Sequence, residues 1–233
     1  MAAPQTLDDM RTRVRELANM ETQAASGFVT DDELRRRLNE ALKGVYDLLI
    51  EARGQEYYIV STAIPLASGT ASYALPADFY QGAGIVVSDG SNYHQMATWE
   101  MQELATLYTI TAQTSGSIYN LRYRYQGSNV VFYPIPGAAW TVGLHYIPAM
   151  TELVLGADTF DGVNGWEQWA VLTAAIDILN KEESDTSALM VERSMVEARI
   201  RKLAGSKDAG RASRITDVRG DWAPWLGLSN WNA

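Results

Sequence analysis

No cysteine occurs among the 233 residues, so neither a disulfide framework nor a thiolate metal site is possible. Histidine is almost as scarce. His94 and His145 are the only two, and no H-E-x-x-H or related spacing gathers zinc ligands. No stretch approaches the roughly 18 uninterrupted apolar residues of a membrane helix. The start, Met1-Ala2-Ala3-Pro4-Gln5, lacks the basic and apolar regions of a signal peptide. There is no P-loop, no G-x-G-x-x-G after a strand and no G-x-S-x-G elbow, which removes the ordinary phosphate cradles and serine nucleophiles. Positive charge is in deficit: 19 Lys and Arg against 28 Asp and Glu leave a net −9. A grip on nucleic acid rests on cations displacing counterions from phosphates, so this surface repels DNA rather than holding it. These absences describe a soluble, cytosolic chain without a membrane span, cofactor or metal.

What is present is ordinary globular composition, 47% apolar and 20% charged, enough to bury a real core. The charges fall in blocks. Residues 1–56 are dense in Asp, Glu and Arg. From Tyr57 to Met150 only Asp78, Asp89, Glu100, Glu103, Arg122 and Arg124 are charged, and charge density rises again after Thr151. Residues 206–233 mix Gly, Ser and Arg with three of the seven tryptophans.

Periodicity follows the same division. Thr6 with Asp9 makes a capping-box start for a helix from Leu7 to about Met20. Thr30 with Glu33 starts a second, carrying Leu34, Leu38, Leu42, Val45 and Leu49 at helical spacing and ending at Gly54. The pattern then turns β-branched and aromatic. It predicts a strand at Tyr57–Thr62 and a hairpin of Ile85–Ser88 with Tyr93–Met96 about Asp89-Gly90. A short helix is predicted from Thr98 to Tyr108, then a hairpin of Ile118–Tyr125 with Val130–Tyr133, and a strand from Trp140 to Ile147 closed by Pro148. Helices resume near Gly165, with a stripe of Trp166, Trp169, Leu172, Ile176 and Leu179. A last helix follows capping signals at Ser184 and Asp185, carries Leu189, Val196, Ile200 and Leu203, and stops at Gly205. The expected class is α+β. Residues 1–56 and 151–205 form a helical bundle, 57–150 an inserted antiparallel β lobe, and 206–233 an extended C-terminal arm.

The middle of the chain carries a resemblance. Ile64-Pro65-Leu66, Gly69-Thr70 and Tyr73-Ala74-Leu75-Pro76-Ala77-Asp78-Phe79 resemble the strand, turn and "Leu-Pro-x-Asp-Phe" signature of phage head-to-tail adaptor proteins, among them the tail tubular proteins of short-tailed phages. Val131-Phe132-Tyr133-Pro134-Ile135-Pro136-Gly137, the strand ending at Tyr146, an acidic loop and the helix from Trp166 to Leu179 follow in the family's order. The resemblance implies a homo-oligomeric ring, usually of twelve copies, beneath the portal vertex of the virion neck, assembled in the host cytoplasm. The portal protein lies on one side and a tail nozzle or tail-completion protein on the other, and genomic DNA passes through unbound. An acidic lumen suits that passage.

Three sets of residues are candidates for contact. Trp222, Trp225, Leu226, Leu228 and Trp231 crowd apolar surface onto the arm, as anchors for a portal pocket or for the subunit's own core. The tips Asp89-Gly90 and Gly127-Ser128-Asn129 are expected to face the tail. Arg35, Arg36 and Arg37, set among Asp31, Asp32, Glu33 and Glu40, are expected to pair with acids locally or on a neighbouring subunit. The helical stripes look sized for intramolecular packing, which predicts largely polar subunit contacts.

Rival chemistry has thinner support. The rival is a glycan-active tail component: Glu100 and Glu103 share a face if helical, and two carboxylates flanking a bond would suit a peptidoglycan hydrolase, while Tyr and Trp of the β lobe could stack sugars in a sugar-binding module. An exposed acidic face is the plainer reading. Asp158, Asp161, Gly162 and Asn164 offer oxygen ligands for calcium but lack its alternating loop pattern. Arg219-Gly220-Asp221 imitates an adhesion tripeptide that recurs by chance.

Overall fold

The computed structural model describes residues 5–20, 29–53, 58–88, 93–103, 115–160 and 165–204. Its class is α+β. Helices α1 (Leu7–Leu17) and α2 (Asp31–Arg53) precede seven strands, and α3 (Gln168–Lys181) and α4 (Ser187–Leu203) follow them. Both predicted helix starts are present. The Thr6 hydroxyl accepts the Asp9 amide at 3.1 Å and the Asp9 carboxylate accepts the Thr6 amide at 3.1 Å, a complete capping box. At α2, Thr30 accepts the Glu33 amide at 3.2 Å.

The four helices share one core. Leu7, Met10 and Val14 of α1 meet Leu34, Leu38, Leu42, Val45 and Leu49 of α2, Ala170, Val171, Ala174, Ala175 and Ile178 of α3, and Ile200 of α4. Helix α3 packs against all three others, so it is buried on nearly every side rather than along one stripe. Its small residues Ala170, Ala174 and Ala175 let the neighbours come close. Helix α4 is the opposite case. Ile200 alone is fully buried, Leu189 and Val196 pack partly against the core, and Leu203, expected inside, is exposed.

The strands form two antiparallel sheets packed face to face. One has the order β1-β7-β3-β4, from Val60–Leu66, Trp140–Pro148, Phe79–Ser88 and Tyr93–Gln95. The other has the order β2-β6-β5, from Ser72–Ala74, Asn129–Tyr133 and Arg122–Gln126. Between them lie Ile64, Leu66, Ile85, Val87, Val142 and Leu144 of the first sheet against Tyr123, Val130 and Phe132 of the second. Pairing of β3 with β7 slips twice, and Gly84 sits at the second irregularity with φ +149°, a conformation that side chains strongly disfavour.

Strand β3 starts at Phe79, six residues before the predicted Ile85, and three further predicted elements differ from the observed ones for identifiable reasons. Strand β1 begins at Val60 and continues through Pro65 rather than stopping short of it. It is an edge strand, where a residue lacking an N–H is tolerated. The helix expected from Thr98 is absent at its start. Trp99 N–H donates to Tyr123 O at 3.2 Å and Tyr123 N–H to Ala97 O at 3.1 Å, which holds residues 97–99 extended beside β5. Only the 3₁₀ turn Met101–Glu103 follows, and residues 104–108 lie outside the described residues. The strand expected from Ile118 begins at Arg122, because Ser117 caps a 3₁₀ turn at Ile118–Asn120.

Candidate functional site

The helices and the sheets are joined where the signature residues lie. The Asp78 carboxylate accepts the Tyr146 hydroxyl at 2.9 Å, and the Asp78 carbonyl accepts the Ala149 amide at 2.6 Å. One acidic residue therefore fixes both the side chain near the end of β7 and the backbone leaving it. Phe79 stacks on Tyr146 with centroids 5.6 Å apart and touches Tyr125 at 5.2 Å. On the helical side, Tyr46 of α2 donates to Pro148 O at 2.8 Å, and Tyr80 of β3 donates to Asp47 of α2 at 2.7 Å. Tyr46 also packs on Tyr58 and Tyr80 at 4.7 and 6.5 Å. Burial, and then the neighbouring Tyr80 and Asp47, push the Tyr46 phenol up to about 12, so it stays a neutral donor at physiological pH. This arrangement joins α2 to the sheets through aromatic rings and hydrogen bonds.

After β7 the chain lays a loop over α2. Asn39 is almost fully buried and clamps the peptide of Leu153: its side-chain amide donates to Leu153 O at 2.9 Å, and its carbonyl accepts Leu153 N–H at 2.8 Å. The Asp158 carboxylate accepts the amides of Val154 and Leu155 at 2.8 Å each, and those two bonds, Val154 first, hold its carboxyl below the usual range. Leu7 N–H donates to Asp158 O at 2.9 Å, and Lys43 reaches Glu152 at 2.6 Å. Thus held, Val154 and Leu155 stand exposed at the loop's crest. Sequence reasoning missed Asn39, whose partner lies 114 residues away. The only local signal was an amide interrupting the Leu38, Ala41 and Leu42 stripe.

The arginine run divides. Arg37 pairs with Glu33 at 3.1 Å and with Asp177 at 3.8 Å, and Lys181 also reaches Glu33, at 3.0 Å. The contact with Lys181, more than that with Arg37, holds the Glu33 carboxyl below its ordinary value. Burial pushes Asp177 up against the pull of Arg37. Arg35 reaches Asp32 at 3.5 Å, while Arg36 is exposed. Two of the three therefore make ion pairs within the subunit.

The tip Gly127-Ser128 is a two-residue turn between β5 and β6. Gly127 takes φ +58° at the first central position, as a type II′ turn needs. Ser128 O accepts the Leu75 amide at 2.9 Å, so this exposed tip is tied to the signature segment. Asp89 and Gly90 lie outside the described residues, as do Trp222, Trp225, Leu226, Leu228 and Trp231 and the tripeptide Arg219-Gly220-Asp221.

The rival sites find other employment for their residues. Glu103 accepts the Glu100 amide at 3.1 Å and pairs with Arg122 at 2.8 Å. Those contacts, the amide first, hold its carboxyl below the normal range, the wrong direction for a general acid. His94 packs edge-on to Tyr119 at 4.9 Å, and His145 lines the other face of the sheet. Among the described residues no cluster of His, Asp and Glu is placed to hold a metal. The calcium set keeps only Asp158 in view, since 161–164 lie outside the described residues. None of the described helices is long and apolar enough to cross a membrane.

With this geometry in place, comparison with known families becomes informative. A model of the SU10 adaptor protein family matches residues 5–219, from the N-terminal cap through both sheets and all four helices. The chain belongs to that family. The resemblance to phage head-to-tail adaptors read from the Leu75–Phe79 segment is therefore borne out, and the SU10 adaptor assignment gives the protein a structural role in a phage particle. Comparison with curated protein sequences returned no match.

Proposed function

We propose that this SU10 adaptor forms a closed ring, of twelve copies, in the neck of a tailed phage, between the portal and the tail. The ring continues the DNA channel, with the helical body against the portal and the two-sheet lobe toward a nozzle or tail-completion protein. The observation that carries this reading is the family match across residues 5–219. Net charge of −9 agrees with it, because a lumen that lets DNA slide must not bind phosphates. The joint between α2 and the sheets also agrees. A connector has to hold its two ends in fixed relative orientation, which the hydrogen bonds at Asp78, Tyr46 and Tyr80 favour.

In this reading the arm reaches the portal through Trp222, Trp225 and Trp231, and the tips Asp89-Gly90 and Gly127-Ser128-Asn129 meet the tail. A chain truncated after Gly205 tests the first part, since both described cores are built from residues up to Ala204. The expected result is a folded protein that no longer joins portal-bearing heads. Unfolding on truncation would place the arm on its own subunit, and undiminished joining would overturn the portal assignment.

A further inference from the structure

Helix α4 shows apolar side chains to solvent on the face turned away from its own core. Val191 is 61% exposed and Met195 67%, with Ala188 and Ala198 completing the spacing of one helical stripe. A helix apolar on two faces is one that is buried on both. A second apolar feature lies elsewhere on the same body, the loop crest with Val154 60% and Leu155 67% exposed. The two are on different sides of α2. The loop is held at Asn39 and α4 is tied at Glu51 by Arg201, and these positions lie about 120° apart around the helix at 3.6 residues per turn.

We propose that the crest of one copy seats on the α4 stripe of the next, so that this contact, rather than a polar one, closes the ring. The inference rests on the ring reading above. Two unlike patches on one subunit make a head-to-tail contact, which propagates into a ring, whereas a single self-complementary patch stops at a dimer. Charge points to the same pairing. Three carboxylates lie at the crest: Asp158 beneath Val154 and Leu155, Glu152 paired with Lys43, and Asp8, which lies against Gly156 and pairs with Arg11, so Asp158 is the one without a cation among the described residues. The stripe ends on the exposed cations Arg199 and Lys202, which make no ion pair among the described residues. A crest with an acid beneath it and a stripe with cations at one end attract in one orientation and repel when like meets like. The clamp at Asn39 acquires a purpose here, because a knob must be held rigid to fit.

The absence of cysteine makes the test direct. Leu155→Cys and Met195→Cys, combined in the full-length chain and treated with a short bis-maleimide, should give a ladder of covalent oligomers, while either single variant stays monomeric on the gel. Cross-linked dimers from Met195→Cys alone would show stripe against stripe and overturn the proposal. So would a missing ladder, or an equal ladder from Met195→Cys paired with Tyr93→Cys on the distant lobe. Native mass spectrometry of the unmodified chain at the same concentration separates the two levels. Closed rings without a ladder refute only the chosen faces, and monomers alone refute the ring reading as well.

Discussion

Replacing Asn39 by alanine should be the most damaging single polar change in the helical body. The substitution removes one donor and one acceptor that together satisfy the buried peptide of Leu153, itself only 4% exposed. Each buried backbone group left without a partner costs about 1–3 kcal/mol. The loop is at the surface and can admit water once released, so the lower part of that range applies to both groups, and the sum is about 2–3 kcal/mol. For a chain of this size that corresponds to a fall of roughly 4–12 °C in midpoint temperature. Urea unfolding should show the midpoint shift with an unchanged slope, since the same surface is exposed on unfolding. Hydrogen exchange should accelerate at the amides of Leu153, Val154 and Leu155 before it does in the helices. Lys43→Ala is the control. It breaks the Lys43–Glu152 pair beside the clamp, but both side chains are more than half exposed, and stability should change by less than about 0.5 kcal/mol. Equal effects of the two substitutions would refute the argument, because the loop would then be held by something other than the buried amide.

Further perturbations probe the packing, the acid limb and the joint. Gly44 lies under Trp169, with an added methyl 3.1 Å from the indole, so Gly44→Ala should fail to give the usual helix-propensity gain of about 1 kcal/mol and Gly44→Val should destabilise outright by thermal melting. Glu33 has its folded pKa below its unfolded value, so its ion pairs with Lys181 and Arg37 stabilise above the ordinary carboxylate range and fade as pH falls through the folded value. Glu33→Gln should therefore lose stability at pH 7 and converge with the parent in strong acid, as measured by urea midpoints across pH. Tyr146→Phe leaves Asp78 without its hydroxyl donor, and calorimetry should show a loss of about 1–2 kcal/mol; Asp78→Ala should cost about the same, because it breaks the same bond and keeps the main-chain carbonyl that accepts the Ala149 amide.

Local chemistry was the legible part of this protein. Thr6 with Asp9, and Thr30 ahead of α2, announce helix starts because a cap involves residues three apart. The turn at Gly127 is equally local. Where partners are distant, the pattern misleads. Thr98–Tyr108 has helical composition, yet at its start the ladder to Tyr123 and the burial of Trp99 under β6 override it. Pro65 looks like a strand terminator until β1 proves to be an edge. Leu203 fits the stripe of the last helix but is exposed among the described residues. Of the candidate contact residues, the arginine run could be read only as seeking acids. That Arg37 finds them on α2 and α3 depends on a helix pairing 140 residues apart in sequence. Asn39 left only an amide interrupting an apolar stripe, and the exposed Val191 and Met195 left no trace, because a polar residue on a helix and an apolar one at its surface are each unremarkable alone.

The pairing of β1 with β7 bears on how such a protein can change over generations. The strand that enters the lobe and the strand that leaves it lie side by side, with Val60 opposite Tyr146. Register partners in an antiparallel ladder are about 5 Å apart. The covalent path from the helices into the strands therefore enters and leaves at one place, whatever the number of strands beyond it. A lineage can enlarge, shrink or exchange the outer strands without moving the ends of α2 and α3, provided the contact of Tyr80 with Asp47 is kept. Selection can then act on the segment between β1 and β7 while the helices on either side stay as they are.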